Sequence, residues 1–152
     1  MLLNLLTGLP VMLLCLVLQA GFVILCLRLY VRFSYTHQDR ATPLRDILLL
    51  STVMLLTLLG NFVQMCIWAA LFMLLGEFGD FDTALYHSGV NFAALGYGDI
   101  VMSVRWRLLG PLEATNGILM IGVSTAVMTA AIIDVIKINR GRLQQNDTSQ
   151  SD

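Results

Sequence analysis

The residues Leu95-Gly96-Tyr97-Gly98-Asp99 are the part of this chain whose types and spacing carry chemistry. Glycine reaches backbone angles with φ > 0 at little cost. Set at alternate positions, it lets successive carbonyl oxygens point one way. Several such loops around an axis would offer rings of carbonyl oxygens to a dehydrated cation. The preceding stretch, Thr83 to Ala93, is at most half of the roughly 20 residues a helix needs to cross the hydrocarbon. If it enters a bilayer it must leave on the same side. Thr83 or Asp82 suits its N-cap. With its C-terminal end toward the membrane centre, this half-helix adds partial negative charge there. Glu77, Asp80 and Asp82 stand before it and would concentrate cations, within a screening length of about 8 Å at physiological salt.

The elements that must hold such a loop are membrane spans. Of 152 residues, 57% are hydrophobic and 12% charged, against roughly 25% charged in a soluble domain. Mean hydropathy is +0.78. Three runs lack charge: Leu9 to Leu27, Ile47 to Gly76, and Ala114 to Ile133. Each is long enough to span. The second, about 45 Å long as one helix, must tilt or project. The first has no basic leader and is followed at once by Arg28 and Arg32, the flanks of a retained span rather than a cleaved signal. Irregular backbone at membrane depth is tolerated only where it is buried in protein or lines a wet cavity, so the glycine run belongs to a pore or pocket.

Orientation follows from lysine and arginine. Arg28, Arg32, Arg40 and Arg45 sit in the first loop, and Lys137, Arg140 and Arg142 follow the third span. Only Arg105 and Arg107 separate the second and third spans. The first loop and the C-terminus are therefore cytoplasmic, and the N-terminus is outside. Arg28 and Arg32 read as topology anchors, and no span carries the regular arginine series of a voltage sensor. Tyr30, Tyr35, Trp68 and Trp106 read as interfacial anchors. The loop around Thr42-Pro43 reads as a linker, and Gln144 to Asp152 as a disordered tail. The net charge of −1 excludes a phosphate-neutralising nucleic-acid binder. Cys15, Cys26 and Cys66 lie in apolar runs with neither disulfide nor zinc spacing.

The segment Leu95-Gly96-Tyr97-Gly98-Asp99 resembles the potassium-channel selectivity filter, Thr-Val/Leu-Gly-Tyr-Gly-Asp. The resemblance extends over the outer helix, the half-helix, and an inner helix reading Asn116-Gly117-Ile118-Leu119-Met120-Ile121-Gly122-Val123-Ser124-Thr125-Ala126, roughly residues 47–137. It implies an all-α membrane protein: three transmembrane helices plus a re-entrant pore helix and filter loop, in a homotetramer with the pore on its fourfold axis. The organisation expected is an N-terminal span at 1–33, a linker at 34–46, a pore module at 47–137 and a cytoplasmic tail at 138–152. Within the module the outer helix takes 47–76, the pore helix 83–93, the filter 94–99 and the inner helix 112–137. The location implied is the plasma or inner membrane, with lipid and permeant potassium ions as partners and no cofactor.

Residue by residue, the resemblance makes the carbonyls of Ala94, Leu95, Gly96 and Tyr97 the replacement for the hydration shell of potassium. Gly98 and Asp99 support the filter at its outer end. Tyr86 and His87 hold the places of an aromatic pair that braces the filter. His87 has two readings: a histidine at the outer end of the pore helix, or a partner of Tyr97 or Asp99 whose protonation near pH 6–7 alters conduction. The family has Thr-Thr where this chain has Ala93-Ala94, and Asn91 stands where a threonine is common. Ala94 keeps the carbonyl and loses the hydroxyl of the innermost ion site, so Ala94→Thr is expected to raise potassium preference.

In the inner helix, Gly117 and Gly122 read as packing glycines or as a hinge. By family position Thr125 faces the cavity, and Thr129 and Ile133 follow on its face; alternatively the threonine hydroxyls bond their own helix. Asp134 reads as an ion-pair partner of Lys137 or one member of an acidic inner ring. Glu113 reads as a helix N-terminal carboxylate or a charge at the outer mouth. Gln19 and Gly21 of the first span read as contacts to a neighbour, or the span is simply a lipid-facing brace; Asn61 and Gln64 read as bonds across helices.

Three functions follow: a potassium-selective channel, a weakly selective monovalent cation channel, or a non-conducting accessory or sensing subunit with the same fold. His37, Asp39 and His87 form no catalytic pattern, and no phosphate-cradling loop is present. An enzyme is not expected.

Overall fold

The computed structural model describes residues 1–36 and 43–149. They form α1 (Leu2–Thr36), α2 (Pro43–Leu74), α3 (Phe81–Phe92) and α4 (Leu109–Ser149). No strand occurs among the described residues. Three stretches are long and apolar enough to cross a membrane: Leu2–Arg32, Leu44–Leu74 and Leu109–Gly141. The short α3 lies between the second and third. Pro43 opens α2, where proline's missing N–H costs nothing. Gly76, at φ +75, follows the end of α2 and turns the chain. The linker residues His37 and Asp39 lie outside the described residues, as do 150–152.

Two boundaries differ from the sequence reading. α3 begins at Phe81 because Asp80, not Asp82 or Thr83, is its N-cap; an Asp80 carboxylate oxygen accepts the Thr83 N–H at 2.8 Å. The tail from Gln144 to Ser149, expected to be disordered, continues α4. No proline follows Pro111, and Arg142, Leu143, Gln144 and Gln145 are good helix formers that carry the helix forward.

Much of the apolar surface turns outward. Val17, Leu55, Leu58 and Leu74 are exposed, as lipid-facing side chains of a bundle are. The buried core sits toward one end, where Cys15 of α1, Trp68 and Phe72 of α2, and Leu109 of α4 meet Met102 and Trp106 of the loop after the glycine run. Trp68 and Trp106 are thus core residues, not the interfacial anchors expected. Their large rings fill the space where three helices and a loop converge.

Polar side chains fasten α1 to the other helices along its length. The Asn4 amide donates to the Arg105 carbonyl at 2.9 Å. The Gln19 amide donates to Ser124 Oγ of α4 at 3.1 Å and its carbonyl accepts from the Gln64 amide of α2 at 2.7 Å. The Asn61 carbonyl oxygen lies 3.2 Å from Ser124 Oγ. Tyr30 donates to Asp134. Asp134 is therefore held across helices by a tyrosine of α1, where the sequence reading had paired it with Lys137. Gly60 lets the Phe22 ring approach, since an added Cβ would meet it at 3.1 Å. The first span is an integral part of the bundle.

Candidate functional site

The site is the loop that leaves α3. The last turn of α3 closes with Ala94 N–H donating to the Asn91 carbonyl and Leu95 N–H to the Val90 carbonyl, both at 2.8 Å. This bond pair is a Schellman cap, whose pivotal residue takes a left-handed conformation and is usually glycine. Here the pivot is Ala94, at φ +54. Gly96 and Gly98 follow at φ +63 and +73. Left-handed backbone therefore recurs at every second residue of 94–98. Residues 93–99 are all exposed in the single chain.

The left-handed Ala94 alters the threonine expectation. A β-branched residue at positive φ is a strained outlier, so Ala94→Thr must distort the helix cap before its hydroxyl can reach an ion. Alanine is among the least costly non-glycine residues for this place.

The supporting side chains fall into two sets. On the outer side, the Tyr86 hydroxyl donates to Asp99 Oδ2 at 2.6 Å, and Oδ1 accepts the Ile100 N–H at 3.0 Å. The Tyr86 hydroxyl holds the Asp99 carboxyl below the usual carboxylate range, and Asp99 in turn pushes the Tyr86 phenol up. A carboxyl whose pKa is depressed keeps its favourable pairing above that pKa and loses it as pH falls through it. In Tyr86→Phe the Asp99 titration is expected to rise toward the ordinary aspartate range. The acid limb of a pH–current curve should then move to higher pH; an unmoved limb would mean the bond is immaterial.

Behind the loop, His87 is buried. Its Nδ1–H donates to the Ile100 carbonyl at 3.0 Å, and its Nε2 accepts from the Asn91 amide at 2.9 Å. Phe72 and Phe78 pack on its ring, with centroids 5.5 and 5.0 Å away. His87 therefore bonds neither Tyr97 nor Asp99, as had been one expectation. One nitrogen must donate and the other accept, which is the neutral imidazole. Burial pushes its pKa down. Protonation would cost the bond from Asn91 as well as the desolvation, and both oppose the switch of the second reading.

Glu77 is tied down as well: its carboxylate oxygens accept the Ser103 N–H at 2.6 Å and the Ser103 hydroxyl at 2.7 Å. This pairing clamps the C-terminal end of α2 to the loop beyond Asp99.

In α4, Thr125 and Thr129 lie on an exposed face with Ile133. Both hydroxyls donate to their own helix, at the Ile121 and Thr125 carbonyls, 2.9 Å each. Gly117 and Gly122 differ. Nothing lies within 4 Å of a Cβ added at Gly122, but one at Gly117 would fall 2.0 Å from the Phe92 carbonyl oxygen. Gly117 thus serves close approach to Phe92, the last residue of α3.

The sequence reading misjudged one residue here and missed another. Glu113 is fully buried, neither a free N-terminal carboxylate nor a mouth charge. Ser88, its partner at 2.5 Å, had drawn no attention. Their only sequence signal was a carboxylate within a turn of an apolar run.

A helix too short to span, between two that span, leading into an exposed loop of alternating handedness, defines a pore-loop membrane protein. A family model described as "Ion channel" matches residues 51–134, more than half of the 152. The chain belongs to this ion channel family and is a multi-pass membrane protein. The matched region begins in α2 and ends in α4, so α1 lies outside it. No curated protein and no solved structure matches the chain.

Proposed function

We propose that the chain forms a homotetrameric, potassium-selective channel of the plasma or inner membrane, with residues 94–99 as its filter. The observation that carries this reading is the left-handed backbone at Ala94, Gly96 and Gly98. A loop of alternating handedness can aim the carbonyls of Ala94, Leu95, Gly96 and Tyr97 at one line, where they stand in for potassium's water shell. The exposure of this loop in the single chain favours further copies of the chain around it. Gly98, Asp99, Tyr86 and His87 brace the loop from behind and outside. Thr125, Thr129 and Ile133 line the inner cavity, and Gly122 is the residue with room to act as a hinge. The N-terminus lies outside and the C-terminus in the cytoplasm, on the strength of the basic residues flanking the spans. The pore passes potassium passively and performs no catalysis.

The lack of a hydroxyl at Ala94 favours one second reading, a pore that admits sodium as well. Purified protein in liposomes, its oligomer mass measured alongside, separates the readings. Potassium flux with sodium largely excluded is expected from a tetramer. Comparable sodium flux favours the second reading, and a tetramer that passes neither ion would mark a non-conducting subunit.

A further inference from the structure

Glu113 stands in the second turn of α4 with its side chain fully buried. Among the described residues no cationic side chain faces it. An unpaired carboxylate in such a place is expensive. The hydrogen bonds around it give an independent answer. Ser88 Oγ lies 2.8 Å from the Met65 carbonyl oxygen of α2 and 2.5 Å from Glu113 Oε1. A serine hydroxyl has one proton to give, and a backbone carbonyl can only accept. If Ser88 donates to Met65, the contact with Glu113 must be donated by Glu113. The short separation is that of a strong O–H···O bond.

This hydroxyl is where three helices meet: α2 through Met65, α3 through Ser88 and α4 through Glu113. The other carboxyl oxygen of Glu113, Oε2, is buried without a hydrogen-bond partner, and Asn91 stands one turn beyond Ser88 on α3. Asn91 in turn donates to His87, which donates to the carbonyl of Ile100 just past the glycine run. The Ser88–Glu113 bond thus ties the start of α4 to the helix that carries the loop, and the Asn91–His87 pair ties that helix to the loop's far end.

We propose that Glu113 is held as the neutral carboxylic acid and is a positioning residue for the filter, its proton donated to Ser88 so that α3 is fixed against α2 and α4. The positioning role rests on the filter reading above; the protonation state does not.

The experiment pairs infrared spectroscopy with permeability measurement on the reconstituted full chain. Wild type minus Glu113→Gln at neutral pH is expected to show a protonated carboxyl C=O band that shifts in deuterated water. Ser88→Ala is expected to move that band to higher frequency, because its hydrogen-bond partner is gone. Glutamine also donates from its amide, so E113Q should keep the potassium-to-sodium permeability ratio within about twofold of wild type. Glu113→Asp keeps the acid but falls a methylene short, and should lower the ratio about tenfold.

A difference spectrum with no acid band overturns the proposal. So does an E113Q channel that loses selectivity as far as E113D. Should E113Q or E113D fail to fold, the band in wild type and its shift in Ser88→Ala decide. A wild-type protein that shows the band yet does not select potassium contradicts the proposed function instead, and leaves the protonation state standing.

Discussion

Gly117→Ala is expected to leave almost no assembled, conducting protein. The added Cβ would sit 2.0 Å from the Phe92 carbonyl oxygen, 2.7 Å from its carbonyl carbon and 2.8 Å from its Cα. All three are backbone atoms, so no rotamer change relieves the clash. Overpacking in a core ordinarily costs about 1–3 kcal/mol, and contact with fixed backbone belongs at or above the top of that range. The damage is also placed where it matters. Phe92 ends α3, and the cap built on Asn91, Ala94 and Leu95 begins there. Moving it moves the entry to the proposed filter. Gly21→Ala is the control: nothing lies within 4 Å of its Cβ, and relief of helix entropy should stabilise by roughly 0.5–1 kcal/mol. Oligomer yield in detergent and liposome flux read both. A normal yield of conducting Gly117→Ala protein would mean that α4 and α3 do not approach this closely.

Gly96→Ala is expected to assemble and lose selectivity. Space is not the difficulty, because nothing lies within 4 Å of the added Cβ. The backbone is: φ is +63, where an L-residue pays roughly 1–2 kcal/mol. Four copies would bring that to roughly 4–8 kcal/mol, enough to turn the loop to another conformation and its carbonyls off the axis. Gly79→Ala isolates this cause, since Gly79 is equally open and is not among the positive-φ glycines. It should conduct and select as wild type does. If Gly96→Ala keeps full potassium preference, the carbonyl of residue 96 does not face the ion.

The same contrast explains what could be read from the sequence. Spans and half-span follow from where charge is missing, a property local to each run, and they are where Leu2–Arg32, Leu44–Leu74, Phe81–Phe92 and Leu109–Gly141 now lie. The alternating left-handed backbone was foreseeable at Gly96 and Gly98, but not at Ala94, whose conformation is imposed by the helix cap. Partnerships were the least legible. Tyr30 with Asp134, Gln19 with Ser124, and Ser88 with Glu113 join different helices. Their choice depends on how the helices face one another. For that reason Asp134 was assigned to Lys137, a neighbour on its own helix, and Trp68 and Trp106 to the membrane interface. His87 shows the same limit. Its type permits a switch near neutral pH, and its burial against Phe72 and Phe78 opposes one.

The most direct test of the filter is to see the ions in it. Crystals of the full chain soaked in rubidium, with anomalous scattering recorded, are expected to show a column of peaks on a fourfold axis between the carbonyl oxygens of Ala94, Leu95, Gly96 and Tyr97 of four subunits. Peaks confined to the outer carboxylates of Asp80 and Asp82, with the glycine loop away from any symmetry axis, would contradict it.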